Sequence, residues 1–353
     1  MKLIAGSLLA HVLAVWRYVH TDGVMVNSFE ILSRRRVYES VVRRGLREFL
    51  NVNDVTSLWV DSGGYQFLTH GINPSVRRLA RLYQELRALN SSDMFYVSLD
   101  YPPSPMDLEE ERELKIEKSI RNYSYLLNTV FSGNSSELIP VAHLTTNIAL
   151  LWKQIENYSD AEIVGIGGLV PYVLGRGPRG SRLVAFAFIL LVKRLLEDFV
   201  GGDVRVHVFG LGAPSVIPFL RLLNVYSTDS MTWRVKAAYG KIILPGTGER
   251  HVTNRKVRFG KRKLSGEEFE YLLKLIDEFN RVSKERISFE DLKRSFTARA
   301  VFNFWVLNMY AHNYDNVLPP KNFRKLYRKV KELMKLSNDE IFEFIVSCFK
   351  KPH

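Results

Sequence analysis

The chain has 353 residues, 46% of them hydrophobic and 25% charged, which is enough apolar matter for a large core and too ordinary a charge content for a disordered polyelectrolyte. Its 50 Lys and Arg against 37 Asp and Glu give a net charge of +13, favouring polyanionic partners, nucleic acid first, without specifying one. One cysteine, Cys348, excludes an internal disulfide and any multi-cysteine zinc site.

The N-terminal MKLIAGSLLAHVLAVW reads as a first core strand and its turn, because His11 interrupts the apolar run and no cleavage context follows. Between Val26 and Leu50 the arginine-rich RRRVYESVVRRGLREFL spaces Val37, Val41, Leu46 and Leu50 as one face of a basic amphipathic helix. Trp59–Gln66, WVDSGGYQ, then delivers Asp61 to the end of an apolar run, and its paired glycines let the backbone turn sharply or approach a ligand. A helix over Ser75–Leu89 leads to MFYVSLDYPPSP, where two prolines stop the strand at Asp100. A charged helix follows over 108–127, and LIPVAHLTT brings His143 to the same mouth.

After a helix at Ile148–Tyr158, EIVGIGGLVP ends on Gly167 and Gly168. Their backbone N–H groups suit a ligand, although the spacing fits neither a dinucleotide fingerprint nor a Walker loop. The loop GRGPRGSR offers Arg176, Arg179 and Arg182 to a phosphate. The apolar helix 183–199 meets Lys193 and Arg194 too early to cross a membrane. VRVHVFGLG gives another strand, 214–223 a helix, Val225–Asp229 a strand ending in an aspartate, and KIIL, 241–244, a last strand.

Strand ends near 7, 61, 100, 143, 167, 210, 229 and 244, separated mostly by helix-length segments, fit a (β/α)₈ TIM-type barrel with its pocket at the C-terminal ends of the strands. An open doubly wound sheet is the alternative. Residues 1–248 form the expected barrel. Residues 249–353 form a basic, mainly helical C-terminal extension, whose first segment, HVTNRKVRFGKRK, carries Lys256, Arg258, Lys261, Arg262 and Lys263.

DSGGYQ, SLDYPP, GIGGL and FGLGAPSVIPFLRLLNVYSTDSMTWRVKAAYGKI, in this order, resemble the tRNA-guanine transglycosylase superfamily, which exchanges guanine for a 7-deazaguanine derivative on a (β/α)₈ barrel. The resemblance covers roughly residues 1–250 and rests most on DSGGYQ together with the later aspartate. It implies Asp229 as nucleophile, Asp61 as the other catalytic aspartate and Asp100 as the reader of the guanine edge. Gln66, Gly167 and Gly168 stand at or beside positions similar to base-contacting ones, and His143 falls where the family usually has a glutamine. Trp233-Arg234 occupies a tRNA-reading stretch that is more arginine-rich in the family.

The family's tRNA enzymes usually hold a structural zinc through three cysteines and a histidine, which one cysteine cannot reproduce. With the altered stretch around Arg234 and no evident RNA-binding module at the C-terminus, the pattern looks more like the DNA-modifying, DpdA-like branch. The resemblance therefore implies DNA as the leading partner, tRNA as the alternative and a free 7-deazaguanine base as co-substrate, with no cofactor. It leaves room for a DNA-opening partner subunit and for a homodimer, in a soluble cytoplasmic protein.

Tyr65, Tyr101 and Met231 are candidates for stacking on the purine. The arginines of 176–182, Arg234 and the basic 256–263 segment are candidates for phosphate contacts. A nucleoside or sugar hydrolase and an inactive nucleic-acid-binding subunit are the competing classes.

Overall fold

Short apolar runs with alternating orientation build nine strands: β1 Lys2–Gly6, β2 Gly23–Asn27, β3 Ser57–Asp61, β4 Met94–Val97, β5 Leu138–Ile139, β6 Val141–Ala142, β7 Ile163–Ile166, β8 Arg205–Val208 and β9 Ser227–Ser230. They are seen in a computed structural model that describes residues 1–52, 56–72, 75–89, 93–178, 180–253, 262–312 and 319–350. Their order is β5-β4-β3-β2-β1-β9-β8-β7-β6, with every pair parallel.

The two strands at the ends of that order, β5 and β6, are separated in the chain by Pro140 alone. Proline has no N–H to give a ladder, so the strand is broken there. Its first half pairs with β4 and its second with β7, while the Pro140 carbonyl accepts the Gly165 N–H at 2.8 Å. The sheet thus comes round on itself as a near-closed parallel barrel, TIM-barrel-like, followed by a mainly helical C-terminal region.

Side chains two apart on a strand share a face, which divides the apolar residues between two cores. Ile4, Met25, Trp59, Ile139 and Ile163 fill the barrel interior. Their chain neighbours Leu3, Val24, Leu58 and Val164 point outward into the larger core beneath the helices.

One barrel strand is added to those expected and one is corrected. Gly23–Asn27 is a barrel strand, although the sequence reading had not separated it from the arginine-rich segment that follows. Lys241–Leu244, expected as the last barrel strand, is instead β10, pairing antiparallel with β11, Gly248–His251, in a separate hairpin. KIIL buries three successive apolar residues, the signature of a parallel barrel strand, but they are covered by helices rather than by sheet neighbours. The expected single helix before β3 also breaks at Gly45, whose φ of +78° interrupts it between Arg35–Arg44 and Leu46–Leu50.

The C-terminal helix Phe296–His312 is apolar on nearly all sides, as befits a helix buried all round, and packs on helix Thr232–Ala238, β10 and β1. Inside this contact the buried Asn303 accepts the Ile243 N–H at 2.8 Å and donates to the carbonyls of Trp233 and Lys241 at 3.2 and 3.0 Å. Among the described residues no helix is long and apolar enough to cross a membrane. Asn303→Leu keeps the branched shape but strands the Ile243 N–H and the Lys241 carbonyl, so unfolding in urea should show a loss of roughly 3 kcal/mol.

Candidate active site

Because all barrel strands run in parallel, their C-terminal ends lie on one face, and there a cavity of about 580 Å³ opens, a size suited to a small-molecule or nucleotide ligand. Asp61 at the end of β3, Asp100 three residues beyond β4 and Asp229 in β9 all line it, together with Tyr65, Gln66, Gly167, Gly168 and Arg176. Pro102 to Met106 and Val170, Pro171 and Leu174 complete its lining.

The three carboxylates have different supports. Asn27 and Asp61 stand side by side in the β2–β3 register, so Asn27 Nδ2 donates to Asp61 Oδ2 at 2.6 Å. The Asn27 Oδ1 meanwhile accepts the Phe29 N–H, capping the next helix. Burial first, and then the charges of Asp100 and Asp229, push the Asp61 carboxyl up to about 7 against the pull of the Ser62 and Gly63 N–H groups.

Gly63 holds φ at +76°, and a Cβ there would meet Asn27 Oδ1 at 2.7 Å. At Gly64 a Cβ would collide with the Asp100 carbonyl oxygen. The paired glycines therefore let the β3 and β4 loops close on each other. Ser62 Oγ donates to Asp100 Oδ1 at 3.1 Å, and His143 Nε2 lies 3.2 Å from Asp100 Oδ2. Asp229 Oδ1 accepts the Gly210 N–H at 2.6 Å and faces His207 Nε2 at 3.5 Å.

Other residues singled out in the sequence lie elsewhere. His143 is fully buried behind Asp100 rather than in the cavity wall, its backbone clamped by Gln154 at 2.8 and 3.1 Å. Tyr101 is buried, with the Lys118 ammonium 3.8 Å from its ring centre, and Met231 packs against Gly6; neither lines the cavity. Arg182 donates to the Val173 carbonyl at 2.9 Å, tying its loop. Arg234 lies with its guanidinium 5.7 Å from the Phe296 ring centre. Arg262 and Lys263 are exposed. Arg179, Lys256, Arg258 and Lys261 lie outside the described residues.

Asn27, Met25, Phe209 and His207 are not among the residues that the sequence pattern marks, whereas Gly210 is marked as a strand end. Their signal was strand alternation: Met25 and Asn27 in GVMVN, like His207 and Phe209 in VHVFG, are two apart and face the interior. Among the described residues no group of three or more His, Cys, Asp or Glu is arranged to hold a metal ion.

No family model matches the chain. It is 24% identical over 229 residues to a tRNA-guanine(15) transglycosylase of Nanoarchaeum equitans (strain Kin4-M), a match covering 64% of this chain and 50% of that one. The likeness is a distant one, at the level of the superfamily. The chain spans about half the length of that transglycosylase. It is also 25% identical over 295 residues to "Uncharacterized protein 306" of Sulfolobus islandicus rod-shaped virus 1, covering 83% of this chain and 81% of the relative.

The Asp61 environment has a measurable consequence. Between the ordinary value of 3.8 and about 7 the folded chain keeps a proton that the unfolded chain has lost, so Asp61 costs increasing stability as pH rises through that window. Asp61→Asn, which can still accept from Asn27, should raise stability at pH 8 by up to roughly 4 kcal/mol and leave it unchanged at pH 3. Urea denaturation at the two pH values checks this.

Proposed function

We propose that the chain is a base-exchange transglycosylase that replaces guanine in a nucleic acid, DNA foremost, with a 7-deazaguanine derivative. The observation that carries this reading is the set of three carboxylates around one cavity, with Asp61 titrating near neutrality and the other two each backed by a buried histidine. Breaking an N-glycosidic bond develops positive charge at C1′, which Asp229 captures as a covalent glycosyl intermediate. A second attack from the original side then gives retention.

Asp61, near its midpoint at neutral pH, protonates the departing guanine and takes a proton from the incoming base. Asp100 accepts from the donor edge of the purine, assisted by Gln66 and by the backbone of Gly167 and Gly168. Phe209 and Tyr65 supply aromatic surface, worth roughly 1–3 kcal/mol per stacked base, and the hydrogen bonds discriminate among purines. A duplex hides its glycosidic carbon, so the target nucleotide enters single-stranded or flipped out, with Arg176 at the cavity wall placed to meet a phosphate. Residues 1–248 carry this chemistry, and 249–353 widen the basic surface that grips the backbone.

The single cysteine and the arginine-poor stretch around Arg234 favour DNA. The likeness to a tRNA-guanine(15) transglycosylase favours tRNA as the second reading. The deciding experiment supplies the purified protein with guanine-labelled DNA or tRNA and 7-cyano-7-deazaguanine. Label should leave DNA only when the free base is added, and Asp229→Asn should slow this by at least about a thousandfold. Exchange confined to tRNA moves the assignment to RNA, release of guanine without incorporation marks a hydrolase, and no exchange on either substrate overturns the reading.

A further inference from the structure

The two oxygens of Asp229 have unlike surroundings. Oδ1 takes the Gly210 N–H and faces His207 Nε2, whereas among the described residues Oδ2 receives no hydrogen bond from the protein. His207 itself is fully buried and is not part of the cavity wall, so it does not touch what binds there.

The imidazole is nevertheless held on several sides. The β8–β9 register sets His207 beside Ser227, whose Oγ lies 2.8 Å from Nδ1. Trp59, reaching across the barrel interior from β3, lies over the ring at 4.8 Å and 35°, and Phe209 meets it edge-on at 4.5 Å. A serine hydroxyl can either donate or accept, but a carboxylate only accepts. In the neutral ring, the tautomer that suits both neighbours has Ser227 donating to Nδ1 and leaves the ring hydrogen on Nε2, 3.5 Å from Asp229 Oδ1. Among the described residues Nε2 has no hydrogen-bond partner of its own. A buried N–H in that position is costly unless the carboxylate stays in front of it.

We propose that His207 is the positioning residue of the nucleophile, fixing Asp229 so that Oδ2 is the oxygen presented to the anomeric carbon. The inference rests on the base-exchange reading above. Oδ2 gives a lone pair to C1′ while the C1′–N9 bond breaks and its electron pair leaves with guanine, which takes the proton of Asp61. The incoming base returns a proton to Asp61 as its ring nitrogen displaces Oδ2. His207 gains and loses no proton in either step; it keeps the carboxylate from rotating away from the line of attack.

The test combines tautomer and kinetics. Imidazole ¹⁵N NMR of the whole chain, with His207 assigned by its loss in His207→Gln, should show hydrogen on Nε2. His207→Leu should lower kcat about a hundredfold with KM for nucleic acid and base within about twofold, and His207→Gln, which restores an N–H donor, should recover at least about tenfold of that loss. Hydrogen on Nδ1, an unchanged kcat in His207→Leu, a loss confined to KM, or equal rates for the Leu and Gln variants would each overturn the proposal. If His207→Leu does not fold, the Gln variant and the tautomer decide. Wild-type protein that neither exchanges bases nor forms an Asp229-linked adduct overturns the base-exchange reading, a result distinguishable from failure of the positioning role because the tautomer is read without turnover.

Discussion

Like charges repel most strongly where water is scarce, and this chain gathers Asp61, Asp100 and Asp229 around one cavity. Much of the surrounding structure answers that repulsion. Asp229 is met by a backbone N–H and one imidazole, and Asp100 by a serine hydroxyl and another. Asp61 has an uncharged amide donor and two backbone N–H groups against it, which do not offset its burial, and so it holds its proton up to about 7. Three identical functional groups thereby acquire different chemistry from their second neighbours, as paired carboxylates in hydrolytic enzymes do.

The barrel makes those neighbours available in rows. Residues that face each other across parallel strands share a level of the interior, which is why Asn27 reaches Asp61 and Ser227 reaches His207. Below them Ile4, Met25, Trp59, Ile139 and Ile163 fill the interior with apolar side chains. The floor of the site is therefore dry and closely packed, and the polar groups above it have little freedom to relax away from one another.

The aspartates themselves could be read from the sequence because each ends or follows a recognisable apolar run, Asp61 and Asp100 with Gly or Pro close behind. Their supports could not be read in the same way. Asn27 closes a short strand that runs directly into helix Ser28–Ser33, which it caps, so its local pattern reports a helix start and not a partner for Asp61. His143 stood out as a polar residue in an apolar run, but local pattern does not distinguish a side chain lining a cavity from one sealed behind it. Lys241–Leu244 shows the same limit for the fold, since a run of buried apolar residues reports burial and says nothing about which strand lies alongside.

Asn303 has a further consequence beyond anchoring a helix. The barrel comes round at Pro140, and the hairpin β10–β11 stands apart from it as a separate two-stranded sheet with margins of its own. There Asn303 occupies both the N–H of Ile243 and the carbonyl of Lys241, acting as a one-residue imitation of a neighbouring strand. Exposed strand margins are templates for aggregation and strand exchange. On the β10 side that template is already filled from within, so pairing a further strand there would first require the buried amide to be withdrawn.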